Sequence, residues 1–334
     1  MKPAVIGAGN WGTALANLLA KRGLKTRIYA HEREVSDSIN NMRLNPLFLS
    51  KFELSENLTA YNNIKDSVEE CDVIVMATPS QFYREVFKEV SRNIPDEVPV
   101  VSAVKGIEKS SLMLISGVTA DVRKQREGER FAVISGPTFA EEVAAEKPTA
   151  AVIASSDRSF GIRIRDYFST EYFRLYLNED ITGVQLGGAL KNIYALACGI
   201  TTGLGLGLNS QAALISRGNA EMTRLAVKLG ADPKTLSGLA GIGDLILTST
   251  GSLSRNRQMG ERLAKGETLD HIRSTTLTIA EGVGAVEAAY KLAEKINIEM
   301  PIVNVLYGIL YENKSVKKAC KELMGRPLKD EFWE

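Results

Sequence analysis

Pro3-Ala4-Val5-Ile6-Gly7-Ala8-Gly9-Asn10-Trp11-Gly12 begins as an apolar run of the kind that forms a buried parallel strand. It then passes through three glycines into residues 11–22, where apolar side chains recur at helical spacing. Each glycine answers a different mechanical demand. Gly7 permits the tight turn out of the strand, Gly9 lets backbone come close to a pyrophosphate, and Gly12 lets the helix lie against the strand. The start of that helix offers unpaired amides and the positive end of its dipole to phosphates. Glu32 follows roughly 20 residues after Gly12, at the end of the next apolar run, where an acid accepts a hydrogen bond from a ribose hydroxyl. Glycine spacing alone is a weak signal; strand, helix and acid in the right order make it a dinucleotide-binding fingerprint.

The same alternation continues outward. Residues 3–7, 26–30, 72–77 and 98–104 are rich in Val and Ile and end in small residues, while residues 11–22, 34–43 and 81–91 between them carry helical periodicity. Further strands are expected at residues 131–135, 149–154 and 173–177. Strand and helix in alternation predict an α/β fold, a doubly wound sheet of Rossmann type. After Asn178 these runs give way to Ala-, Leu- and Gly-rich segments. Helices are expected over residues 188–197, 211–229, 256–265, 283–296 and 302–311, with Pro233 and Pro301 at helix entries. The chain is therefore expected to divide near residue 180 into a nucleotide-binding domain, 1–180, and an all-helical domain, 181–334. Lys314, Lys317, Lys318 and Lys321 share a helical spacing that reads as a solvated face.

Composition bounds the function. The 334 residues carry 41 basic and 40 acidic side chains, a net charge of +1, which lacks the electrostatic footprint of a nucleic-acid binder. Two histidines, His31 and His271, argue against a His-rich metal centre and a Ser/His/Asp triad. Three cysteines, Cys71, Cys198 and Cys320, form no CxxC pair, which argues against a zinc site and for a reducing compartment. The first residues hold no charged segment followed by an apolar one, so a cytoplasmic location is expected. The most apolar stretch, residues 193–208, is interrupted by Thr201, Thr202 and glycines and falls short of the ~20 residues of a membrane span.

Around Glu32 the charges pull in opposite directions. Glu32 favours a free 2′-hydroxyl, whereas Arg33 and Arg27 attract a 2′-phosphate, which leaves NAD or NADP as the cofactor. Hydride transfer to a carbonyl needs an acid for the nascent alkoxide, and with histidine scarce the candidates are lysine and tyrosine. Tyr61 and Lys65 have the Tyr-xxx-Lys spacing of short-chain dehydrogenases, but they stand too early and without that group's glycine loop. Lys105 comes just past the carboxyl end of a strand, the edge at which open α/β sheets bind ligands. Lys191 follows Gly187-Gly188-Ala189-Leu190 in an otherwise apolar segment and reads as a crevice lysine rather than one reaching solvent. Ser135-Gly136-Pro137-Thr138-Phe139-Ala140 is either an ordinary strand-to-helix turn or a place where Thr138 offers its hydroxyl. Gly241-Ile242-Gly243-Asp244 and Ser254-Arg255-Asn256-Arg257 flank a Ser/Thr-rich loop. Arg255 beside Ser and Asn at a helix start suits a phosphate clamp, although exposed arginines are common.

Taken in order, residues 7–16, Lys105-Gly106, Ser135 to Ala140, Gly183 to Asn192, Gly241 to Leu245 and Ser254-Arg255-Asn256 resemble the motifs of bacterial-type NAD(P)-dependent sn-glycerol-3-phosphate dehydrogenases. The resemblance runs from the first residue to Lys329. It implies a Rossmann domain followed by a helical domain like that of 6-phosphogluconate dehydrogenase, usually in a homodimer. It also implies interconversion of dihydroxyacetone phosphate and sn-glycerol 3-phosphate, the backbone of glycerophospholipids. By matching motif, Lys191 would be the proton donor and acceptor, and Lys105, Gly136, Thr138, Lys191, Asp244, Ser254, Arg255 and Asn256 would line the substrate site. Beside the fingerprint glycines Gly7, Gly9 and Gly12, cofactor contacts would come from Asn10, Trp11, His31, Lys105, Ala140, Arg255, Ile279 and Glu281. The family usually has Ser in place of Asn10, often Arg in place of Glu32, and commonly Cys in place of Ser249. The same fold and cofactor also suit a dehydrogenase of another hydroxy acid, or a nucleotide sensor without chemistry. Both lysines and the unbroken 254–256 segment stand against the sensor.

Overall fold

Unbroken apolar runs such as Ala4-Val5-Ile6 and Val73-Ile74-Val75 avoid water only as central strands covered on both faces, and β1 (Pro3–Ile6) and the fourth strand (Val73–Met76) are buried at every position. The computed structural model describes residues 1–275 and 281–331. Two compact units emerge. The first comprises Met1–Lys105 and Met113–Gln185, and the second Gly106–Leu112 together with the described residues from Leu186 onward.

In the first unit, β1, β2 (Thr26–Tyr29), β3 (Leu58–Tyr61), β4 (Val73–Met76), β5 (Val100–Ser102), β6 (Phe131–Ser135), β7 (Thr149–Ala154) and β8 (Phe173–Asn178) form one sheet in the order β3-β2-β1-β4-β5-β6-β7-β8. Pairing is parallel except between β6 and β7. The helices are α1 (Asn10–Lys21), α2 (Arg33–Met42), α3 (Ile64–Val68), α4 (Tyr83–Arg92), α5 (Ile115–Arg123), α6 (Ala140–Ala144) and α7 (Arg158–Phe168). The expected doubly wound sheet is present, with one strand that the pattern does not announce. Leu58-Thr59-Ala60-Tyr61 is short and alternating because β3 is an edge strand with exposed Thr59, not a buried apolar run. Tyr61 pairs there with Tyr29, and Asn63 caps α3, which carries Lys65, so both members of the Tyr-xxx-Lys spacing serve the sheet edge. The core gathers Leu15, Leu18 and Leu19 of α1, Ile28, Val75, Val101, Ile134 and Ile153 of the strands, and Phe160 and Phe168 of α7. Each such side chain contributes about 1.5–3 kcal/mol on burial.

The second unit is helical: α8 (Ile181–Gly203), α9 (Gly207–Lys228), α10 (Pro233–Leu236), α11 (Asp244–Thr250), α12 (Arg255–Ala264), α13 (Leu269–Ser274), α14 (Glu281–Ile296), α15 (Pro301–Tyr311) and α16 (Val316–Met324). Pro233 and Pro301 stand in first turns, where a missing N–H costs nothing. The division between the units falls within α8, which is far longer than the expected 188–197. Its central residues, from Val184 to Ile200, are buried almost without interruption, so it has no polar face to mark its phase. Gly187 and Gly188 lie inside it rather than ending it. A Cβ at Gly187 would stand 2.3 Å from the carbonyl oxygen of Ala240, so the glycine marks a helix pressed against another stretch of backbone. No described helix is long and apolar enough to cross a membrane.

Candidate active site

In the first unit the glycine fingerprint does what its spacing requires. Gly7 has φ +114°, a conformation that L side chains rarely adopt, and a Cβ there would meet the Ala77 carbonyl oxygen at 2.9 Å. A Cβ on Gly12 would stand 1.9 Å from the carbonyl oxygen of Gly7, so the helix can rest on the turn only without one. Gly9, by contrast, faces nothing within 4 Å. It is also the N-cap of α1, with no capping side chain and no acid in the first turn, which leaves backbone donors beside open space. The Trp11 indole nitrogen is buried without a hydrogen-bond partner, its ring 6.5 Å from that of Phe173. This cradle fits the pyrophosphate of a dinucleotide. His31 ends the β2 crossing, its Nδ1 3.5 Å from the Tyr29 hydroxyl, while the Asn62 amide donates to the His31 carbonyl at 2.6 Å. Glu32 takes the N-cap position of α2 without bonding it through its side chain.

At the carboxyl ends of β5 and β6 the chain brings three expected residues together. The Lys105 ammonium donates to the Gly136 carbonyl at 3.0 Å and lies 3.4 Å from the Thr138 hydroxyl, which itself donates to Gly136 at 3.0 Å. Gly136 is forced: at φ +144° its Cβ would fall 2.9 Å from the Cα of Ala151 on β7. Ala140 opens α6 just beyond. Two buried hydroxyls lack a partner along the same strand ends, Thr78 after β4 and Ser135 at the end of β6. Sequence reading passes over Thr78, and a hydroxyl just past an apolar strand is the signal that points to it.

In the second unit Lys191 of α8 is 7 % exposed, and its ammonium donates to the carboxylate of fully buried Asp244 and, at 2.8 Å, to the Thr248 hydroxyl. Asp244 and Thr248 stand one helical turn apart on α11, and Thr248 also lies 3.2 Å from the Asp244 carboxylate. Sequence reading names Lys191 and Asp244 but misses Thr248, whose signal is the four-residue helical offset from the acid. An ammonium held between a carboxylate and a hydroxyl has a fixed direction and a route for its proton.

Ser254 is the N-cap of α12, its hydroxyl accepting from the Arg257 amide at 3.3 Å. Arg255 follows, exposed at the head of that helix. Asn256 turns inward. Its amide nitrogen donates to the Asn192 side-chain oxygen and its own oxygen accepts from the Gly282 amide, both at 2.9 Å, so it ties α12 to α8 and α14. Much of Asn256 is thus committed within the fold. Asn192, beside Lys191, is not singled out by sequence. Glu281 is the first residue of α14 and partly buried, and Ile279 lies outside the described residues.

Two family models match the chain: the N-terminus of NAD-dependent glycerol-3-phosphate dehydrogenase over residues 2–161 and its C-terminus over residues 180–321. Glycerol-3-phosphate dehydrogenase [NAD(P)+] of Citrifermentans bemidjiense is 46% identical over 330 residues, covering 99% of this chain and 98% of that one. The enzyme of the same name from Geobacter metallireducens is 47% identical over 330 residues, with the same coverage of 99% and 98%. Among solved structures, glycerol-3-phosphate dehydrogenase from Coxiella burnetii superposes with a TM-score of 0.93 at 38% identity, covering 97% of this chain and 99% of that one. With the glycine cradle in one unit and the buried lysine in the other, the chain belongs to the NAD-dependent glycerol-3-phosphate dehydrogenase family and is an oxidoreductase that works with NAD or NADP.

Proposed function

We propose that the chain interconverts dihydroxyacetone phosphate and sn-glycerol 3-phosphate, for glycerophospholipid synthesis. The observation that carries the reading is the buried Lys191–Asp244–Thr248 cluster. A bound dinucleotide would supply or take the hydride at its nicotinamide, and Gly7, Gly9 and Gly12 with Asn10, Trp11, His31, Lys105, Ala140, Arg255 and Glu281 would hold it. Lys191 gives its proton to the alkoxide oxygen as the carbonyl carbon is reduced and takes it back in the reverse direction. Asp244 and Thr248 aim the ammonium. Lys105, steadied by Gly136 and Thr138, adds positive potential at the oxygen where negative charge develops. Arg255 holds the phosphate bidentately, with Ser254 and Asn256 shaping the turn that presents it.

A homodimer in the cytoplasm completes the reading. Leu206 and Leu208, 46% and 79% exposed, and exposed Ala212 and Ala213 place apolar side chains on the surface around the start of α9, which supports a second copy as partner there. Light scattering of the wild type and Leu208→Glu tests this, and a wild-type monomer refutes it.

The enzymatic test mixes protein with dihydroxyacetone phosphate and follows NADH and NADPH consumption. Lys191→Ala should abolish turnover with cofactor binding retained. Arg255→Ala should raise KM steeply for dihydroxyacetone phosphate and little for dihydroxyacetone; equal effects on both would remove the clamp.

A further inference from the structure

Immediately after Lys105 the chain leaves the first unit, and Gly106–Leu112 groups with the second. This excursion is a closed turn. The Leu112 amide donates to the Glu108 carbonyl at 2.8 Å, Leu112 adopts φ +60°, and the Ser111 hydroxyl bonds the Glu108 carboxylate at 2.5 Å. At its tip Lys109 reaches α14, its ammonium 3.0 Å from one carboxylate oxygen of Glu287, while Lys291 donates to the other at 2.7 Å. The stem of Lys109 lies over Gly284, where a Cβ would stand 2.9 Å from Lys109 Cε. Hydrogen bonds from Lys291 and Lys109 hold the Glu287 carboxyl below its ordinary range, against the opposing effect of its burial.

We propose that Lys109 is a positioning residue for Lys105: its ion pair with Glu287, seated over Gly284, anchors the 106–112 turn and so fixes the backbone from which Lys105 projects. The proposal rests on the reading above that Lys105 acts at the substrate and cofactor. The turn holds no other lysine or arginine, and Lys105 is the residue immediately before it, three positions past the end of β5. Slack in the turn therefore passes to Lys105 first. Lys291 pairs with the same carboxylate from within α14 and does not reach the turn, which makes it the internal control.

The test measures kcat, KM for dihydroxyacetone phosphate, NADH affinity and Tm for the full chain and its variants. Lys109→Met and Glu287→Gln should each lower kcat about three- to fivefold, the scale of one partly exposed ion pair. Tm should stay at its wild-type value. Lys109→Met/Glu287→Gln should be no worse than either single variant, and Lys291→Met should match wild type. Gly284→Ala, which lifts the lysine stem without touching a charge, should also lower kcat. In a Lys105→Met background, adding Lys109→Met should cost nothing more. Wild-type kcat in Lys109→Met with Lys105→Met impaired would overturn the tether and leave the role of Lys105 standing. The same would follow if Lys109→Met lost its full factor on top of Lys105→Met, or if Tm alone fell. A fully active Lys105→Met would instead remove the reading on which the tether rests.

Discussion

Lys191 and Asp244 are 7 % and 0 % exposed, and a buried pair of this kind is far more sensitive to losing one member than its net contribution suggests. Asp244→Asn keeps the shape and one acceptor but leaves the ammonium without a counter-charge. Stability should fall by about 3 kcal/mol in urea unfolding, and turnover by about a hundredfold if the acid role is right. NADH binding, followed by fluorescence, should be unchanged. An Asn variant with wild-type turnover would leave Lys191 a structural ion-pair partner. Glu32 poses a second question at this scale, because its carboxylate does not cap α2 and stands where β2 ends. Glu32→Arg replaces an acceptor for a ribose hydroxyl by a partner for a 2′-phosphate. The ratio of kcat/KM for NADPH to that for NADH should rise about tenfold or more, a change of about 1.4 kcal/mol. An unmoved ratio would place nucleotide discrimination elsewhere.

At the scale of elements, what can be read from sequence is what is local. Strand, glycine turn, helix and acid lie within one stretch of chain, and the demand on Gly12 is met by Gly7, five residues before it, even though Gly7 also packs against Ala77 far along the sequence. The pairing of Lys191 with Asp244 spans 53 positions, and no pattern at either end names the other. Nor does anything in Gly106–Leu112 announce that it leaves the first unit, since a short turn after a strand reads alike wherever it packs. β3 escapes notice because edge strands need no continuous apolar run, and α8 reads as shorter than it is because its glycines look like breakers. Those glycines are contacts. Gly187 meets the backbone of Ala240, three residues before the turn that delivers Asp244 ends at Gly243. Gly187→Ala puts a methyl where a carbonyl already stands, and backbone cannot swing aside as a long side chain can. It should destabilise by about 1–3 kcal/mol and lower kcat more than it alters KM, because α8 and α11 carry the two halves of the ion pair. Unchanged urea stability and unchanged kcat would show that the contact relaxes at no cost.

At the scale of the whole molecule, Glu221 makes stability depend on pH in an uncommon direction. Its carboxylate is 3 % exposed on α9, accepts from the Ile302 amide of α15 at 2.9 Å and from the Tyr194 hydroxyl of α8 at 3.3 Å, and so holds three long helices at one point. Burial pushes it from the usual 4.5 up to about 7 despite those donors and nearby Arg224. A raised carboxylate binds its proton more tightly in the folded chain than in the unfolded one. Its contribution is therefore fully present below the ordinary value of 4.5 and is lost as pH rises through about 7. A tenfold change in proton affinity corresponds to about 1.4 kcal/mol, so the loss is of the order of 3 kcal/mol. Glu299, pulled down to about 2 by Lys329 and Arg326, acts in the opposite sense, adding stability above 4.5 that fades as pH falls through about 2. The two windows do not overlap, so a melting series between pH 5 and 8 isolates Glu221. Glu221→Gln keeps an acceptor for Ile302 and cannot ionise. Wild-type Tm should decline across that range, while the Gln variant holds a flatter line and equals or exceeds wild type at pH 8. Parallel slopes in the two proteins would mean that the three-helix junction carries its carboxylate charged throughout, and that the decline belongs to another group.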